Sequence, residues 1–152
     1  MRIALASDHA GFLYKEKIRI LLAGAGHDVQ DFGAFSEAPA DYPDFIRPAA
    51  QAVACGACER GIVLGGSGNG EAMVANRLQG IRCAVCWSPE SAILARRHND
   101  ANMIALGQRM MPLETALDIV RIWLAEPIAN RLCSVIRHRQ GSFLRRKLLL
   151  IH

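Results

Sequence analysis

Apolar positions along this chain fall into two alternating rhythms. Residues 2–6 form a short apolar run, residues 27–32 alternate, and 61–64, 82–86 and 103–106 complete a set of five segments with the pattern of strands. Between them the apolar residues recur at helical spacing. After the polar turn Ser7-Asp8-His9-Ala10-Gly11 come Tyr14, Ile18, Leu21, Leu22 and Ala25. Further helices are predicted over 44–55, from Glu71 onward, over 89–97 with Pro89 in the first turn, and over 113–125. Strands and helices that alternate with short connections predict a parallel sheet covered on both faces, a doubly wound five-stranded sheet in a three-layer αβα sandwich. Residues 1–126 are read as a single α/β domain, followed over 127–152 by a basic helix and tail that packs on a second subunit.

Ligands of such sheets bind beyond the carboxyl ends of the strands. The segments there are 7–11, 65–70 and 107–111, and the helix after the fourth strand is read as bringing His98-Asn99 to the same rim. Gly65-Gly66-Ser67-Gly68-Asn69-Gly70-Glu71 links a strand to a helix, so its amides can converge on an anion. It is neither a dinucleotide fingerprint, which would have a glycine where Glu71 stands, nor a P-loop, which would have Lys-Ser/Thr in place of Glu71-Ala72. A carboxylate beside that loop would repel a bound phosphate. It suits a loop that holds an oxyanion developing during reaction, with Glu71 as the base. Asp8, His9 and His98 add acid, base and donor groups.

Charge and cysteine content narrow the partners. The net charge of +4 resides in the last segment: after Glu126 there are six basic residues and no acidic one, which leaves 12 basic against 14 acidic residues before it. With no nucleic-acid motif and no interleaved aromatics, nucleic acid is not an expected partner, and apolar stretches well under the roughly 18 residues of a membrane span make a membrane no expected partner either. The two C-x-x-C pairs, Cys55/Cys58 and Cys83/Cys86, resemble a split zinc site. Cys83 and Cys86 lie on a predicted strand, however, where residues three apart point to opposite faces. The cysteines are therefore read as reduced, buried thiols of a cytoplasmic protein, and no metal is expected.

Ser7-Asp8-His9-Ala10-Gly11, Asp41-Tyr42-Pro43, the 65–71 loop, Gly80-Ile81-Arg82-Cys83-Ala84 and His98-Asn99-Asp100-Ala101-Asn102 together resemble the ribose-5-phosphate isomerase B and galactose-6-phosphate isomerase family, over residues 2 to 126. The resemblance implies a Rossmann-like fold and a homodimer or dimer of dimers, with each site completed by the neighbouring subunit. The substrate would be a phosphorylated sugar, isomerised through an enediolate with no cofactor. Ribose 5-phosphate is the expected aldose, with a tetrose, allose or galactose phosphate, or a non-catalytic binding subunit, as alternatives. One family branch uses a cysteine base at the position of Gly65; Glu71 matches the base of the other. The resemblance assigns ring opening to His98 and proton movement between sugar oxygens to Asp8. Ser67 and the amides of Gly66, Gly68, Asn69 and Gly70 would hold the enediolate. Tyr42 and His9 would line the site, Asn99 would contact the sugar, and Arg109 would bind phosphate. The departure is beyond Pro127, where Cys133-Ser134 or, in a shifted register, Arg137-His138 stand in the family's phosphate grip, and where Arg137 is expected to act from the partner.

Overall fold

The five strands are β1 (Arg2–Ser7), β2 (Asp28–Asp31), β3 (Arg60–Gly65), β4 (Cys83–Val85) and β5 (Met103–Gly107). The helices are α1 (Phe12–Gly24), α2 (Tyr42–Ala54), α3 (Asn69–Ala75), α4 (Pro89–Asn99) and α5 (Leu113–Ala125). The computed structural model describes residues 1–128. Cys133, Ser134, Arg137, His138 and most of the helix expected over 127–152 lie outside the described residues.

All strand pairs are parallel, and the sheet runs β2-β1-β3-β5-β4. Strand alternation divides the core in two. Ile3, Leu5, Ile62, Leu64, Ile104 and Leu106 point into one cluster with α1, α4 and α5, where Trp123 is fully buried. Ala4, Ala6, Val63, Met103 and Ala105 point into the other with α2 and α3. The helices on this second face meet the sheet largely through alanines, including Ala49, Ala50, Ala72 and Ala75. Small side chains there let α2 and α3 approach closely. Crossovers that move the chain from β2 to β3 and from β3 to β4 use the second face, and those that move it back use the first. A single crossover hand requires that arrangement.

Element ends differ from the sequence expectation where a turn intervenes. The polar turn before α1 is a 3-10 turn, His9–Gly11, capped by Asp8, whose Oδ1 accepts from the Gly11 amide at 2.9 Å. Helix α2 begins at Tyr42 and not at Asp44, because Pro43 fits the first turn, where no backbone donor is needed. Helix α3 begins at Asn69, two residues before Glu71, once Gly68 has turned the chain with φ +84°. Cys83 begins β4 and Cys86 lies just past its end, and they fall in different core clusters; burial pushes the Cys86 thiol up to about 12, whereas Cys55, expected to be buried, is exposed.

Candidate active site

The chain turns to opposite sides of the sheet after β1 and after β3, so a crevice opens beyond the carboxyl ends of these two neighbouring strands. Asp8 follows β1 and donates its amide to the Leu64 carbonyl at 3.1 Å, which places it against the end of β3. The glycine loop leaves β3 on the other side of the crevice. The third wall is the segment after β5. There the Gln108 amide donates to the Gly65 carbonyl at 2.9 Å and the Arg109 amide to the Gly66 carbonyl at 3.1 Å.

Glu71 lies on the first turn of α3 with only 4% of its surface exposed. Its carboxyl is held above the ordinary carboxylate range, chiefly by burial and further by the negative charge of Asp8. The amides of Glu71 and Gly68 act against that shift. Of these two, the Gly68 amide belongs to the loop, so a ligand oxyanion is left to the remaining loop amides and the Ser67 hydroxyl. Ser67 is exposed, and its Oγ accepts from the Asn69 amide at 3.3 Å. Gly65 stands against the carboxylate: an ideal Cβ there would fall 2.7 Å from Glu71 Oε2 and closer still to Oε1.

Two further side chains lean over the loop where glycines make room. The Tyr42 ring passes 3.0 Å from the Cβ position of Gly70, and the Arg109 guanidinium 3.5 Å from that of Gly66. His9 is half-buried. Its Nδ1 sits 3.2 Å from the Ala40 carbonyl oxygen and 3.3 Å from the Ala40 nitrogen, joining the turn after β1 to the loop that leads to Tyr42. Asp8, His9, Tyr42, the 65–70 loop, Glu71 and Arg109 are thus brought together.

His98 and Asn99 are not, and the expectation that they share this rim is corrected. They end α4, and a helix that returns the chain between parallel strands delivers it to their starting edge. The residues that follow confirm the edge: the Gly61 amide donates to the Asn102 carbonyl at 3.0 Å, and Met103 is level with Gly61 and Cys83 at the strand starts. The five-residue length of β5, about 16 Å at the usual rise, separates this edge from the glycine loop. Arg137 lies outside the described residues.

Positioning residues escaped the sequence reading. Gln108 Oε1 accepts from the Tyr14 amide at 3.0 Å, and the Tyr14 hydroxyl donates to the Met111 carbonyl at 3.0 Å, which ties the segment carrying Arg109 to α1. Tyr14 reads in the sequence only as an apolar position of a helix. Among the described residues no group of three or more His, Cys, Asp or Glu is placed to hold a metal ion, and no helix is long and apolar enough to cross a membrane.

The Ribose/Galactose Isomerase family model matches residues 3–139. A ribose-5-phosphate isomerase B of Mycolicibacterium paratuberculosis is 48% identical over 128 residues, covering 84% of this chain and 80% of that protein. The one from Escherichia coli is 43% identical over 123 residues, with 81% and 83% covered. Among solved structures, ribose-5-phosphate isomerase B of Clostridium thermocellum superposes with a TM-score of 0.91 at 40% identity, over 97% of this chain and 99% of that one.

Proposed function

The chain belongs to the Ribose/Galactose Isomerase family, and from that premise we propose that it interconverts ribose 5-phosphate and ribulose 5-phosphate, with Glu71 as the base that moves the carbon-bound proton. The observation that carries the reading is the Glu71 carboxylate, buried against Gly65 at the switch point of the sheet and held above its ordinary pKa. A raised pKa makes a carboxylate a stronger base near neutral pH.

In this reading Glu71 takes the proton from C2 of the open aldose, and the electron pair moves through C1 to the aldehyde oxygen. Ser67 and the loop amides that do not face Glu71 stabilise the resulting enediolate. Asp8, at the opposite wall, transfers the hydroxyl proton from O2 to O1. Glu71 then returns its proton to C1, leaving the ketone at C2. No net redox change or external proton is needed. Arg109 binds the phosphate with its planar fork, joined by Arg137 of a second copy. Tyr42 and His9 line the sugar.

Ring opening requires a proton donor at the ring oxygen, and the assigned group, His98, lies at the far edge of its own sheet. A homodimer resolves this: the partner's His98 and Asn99 reach the site in trans. The exposure of both side chains suits them for that contact. We read the chain as a cytoplasmic enzyme, a reading in keeping with a soluble phosphorylated-sugar substrate.

Assaying the purified chain with ribose 5-phosphate, beside four- and six-carbon aldose phosphates, tests the reading. Conversion of ribose 5-phosphate at the highest kcat/KM is expected. Absence of conversion with all of them would leave a binding subunit and sink the proposal.

A further inference from the structure

The last turn of α4 is tethered on both sides of His98-Asn99. Immediately before them, Arg96 is 3% exposed, and its Nη1 donates to Asp100 Oδ1 at 2.9 Å and to the Ala101 carbonyl at 2.8 Å. Arg97 Nε pairs with Glu126 Oε1 at 2.5 Å. Immediately after them, Asp100 takes the left-handed conformation with φ 46° and ψ 43°, and is the one non-glycine residue with positive φ among those described. A side chain with Cβ adopts that conformation at a cost, and here the surroundings enforce it. Arg82 Nη2 donates to the second carboxylate oxygen of Asp100 at 2.9 Å, and Arg82 Nε to its backbone carbonyl at 2.8 Å.

The clamp is itself built into the strand starts. The Arg82 amide donates to Asn102 Oδ1 at 2.8 Å, and Asn102 Nδ2 donates to the Gly80 carbonyl at 2.9 Å. Arg60 adds a third positive charge that acts on Asp100; its guanidinium lies 5.1 Å from the centre of the Trp123 ring, and burial, with Arg96, lowers its pKa to about 10. Asp100 thus sits amid three arginines, with each carboxylate oxygen held by a different one. Both exposed side chains, His98 and Asn99, lie on a turn whose flanking residues are held by these hydrogen bonds and ion pairs.

We infer that the Arg82–Asp100–Arg96 clamp is a positioning device for the isomerase reaction, holding His98 and Asn99 in the geometry in which the end of α4 enters a second copy's site. This rests on the assignment of ring opening to His98. It goes beyond it by giving Arg82, Arg96 and Asp100, which touch neither substrate nor the Glu71 site of their own chain, a share in turnover. The physical ground is pre-organisation. A donor on a frayed helix end spends most of its time off target, and displacement of about 1 Å costs on the order of 100-fold in rate.

Two rates measured on the full chain separate this role from a structural one. The first is net conversion of ribose 5-phosphate, whose ring must open. The second is incorporation of solvent deuterium at C1 of saturating ribulose 5-phosphate, an open ketose whose exchange needs Glu71 but no ring step. The variants are Asp100→Gly, Asp100→Asn, Arg82→Gln and His98→Asn. Glycine accepts the left-handed conformation without its carboxylate, asparagine keeps one acceptor, and Arg82→Gln leaves Arg96 and Asp100 paired. Asp100→Gly and Arg82→Gln are expected to lose conversion by about 10- to 100-fold in kcat, with exchange near the wild-type rate and Asp100→Asn intermediate. Conversion at the wild-type rate in both, while His98→Asn is impaired, overturns the clamp and leaves the His98 assignment standing. Loss of conversion and exchange together with the melting temperature reduces the clamp to a structural contact and overturns it also. If His98→Asn itself converts normally, the underlying assignment fails and the inference with it.

Discussion

Gly65 and the Glu71 carboxylate occupy adjoining space so closely that any side chain at residue 65 would displace that carboxylate. An ideal Cβ would lie 2.7 Å from Oε2 and closer to the rest of the carboxylate. The family resemblance describes a cysteine base at this position in one branch and a glutamate base in the other. Their mutual exclusion follows from the crowding: the crevice has room for one. Gly65→Ala is therefore expected to fold and to bind sugar phosphate, while kcat falls by about 100-fold as Glu71 is pushed out of line. Turnover near the wild-type value would mean that Glu71 does not act from the position seen here.

Replacing the proposed base directly gives two readouts of opposite sign. Glu71→Gln should lose about 100- to 10,000-fold in kcat, the range for a positioned general base. It should also melt at a higher temperature than wild type at pH 7. A carboxyl whose folded pKa is raised contributes stability that is present below its unfolded value, near 4.5, and is lost as pH rises through the folded pKa. The charged glutamate is thus a burden at neutral pH that glutamine lacks, and the gap in melting temperature should close as pH falls below about 4.5. A gap that persists or widens in acid contradicts the burial assigned to Glu71.

With Glu71 as the proposed base, the same shift is expected to set the acid limb of the pH profile. Glu71 must be ionised to accept a proton, so kcat should fall with acidification through a pKa above the ordinary glutamate range. Burial is the main cause and Asp8 an additional one. Asp8→Asn, which can keep the cap on Gly11, should move the residual activity's acid limb to lower pH. An acid limb that stays in place or rises removes Asp8 from the electrostatics of the base.

Arg109 is expected to act on binding. Arg109→Ala should raise KM for ribose 5-phosphate by about 10- to 100-fold, the loss of a charge-assisted contact, with Arg109→Lys recovering part of it. An unchanged KM would detach this guanidinium from the phosphate.

The proposed completion of the site in trans can be tested by mixing two chains impaired in conversion. A His98→Asn chain combined with a Glu71→Gln chain gives a mixed dimer in which one site carries both lesions and the other neither. Activity absent from both parents should reappear. If mixed dimers form and no activity returns, His98 acts within its own subunit or not at all.

What the sequence determined by itself is the part of the molecule that is local and periodic. The five strands follow from runs such as Gly61-Ile62-Val63-Leu64, and α5 over Leu113–Ala125 from a helical repeat, because burial on a face selects side chains at that period. Glu71 stood out as a candidate because a carboxylate closing a glycine loop conflicts with phosphate binding and calls for another use. Element ends were less legible: Pro43 reads as a break and acts as a first-turn residue. Only the tertiary structure decided which edge of the sheet each motif occupies. His98-Asn99 and Asp8-His9 look equivalent along the chain, each beside a strand. Yet one pair precedes its strand and the other follows it, and in a parallel sheet those positions lie a full strand length apart. The Arg82–Asp100–Arg96 clamp, Tyr14 and the Gly65–Glu71 contact were invisible for the same reason. They join residues distant in sequence, and in the case of Gly65 the signal is the absence of a side chain, whose meaning depends on which neighbour fills the space.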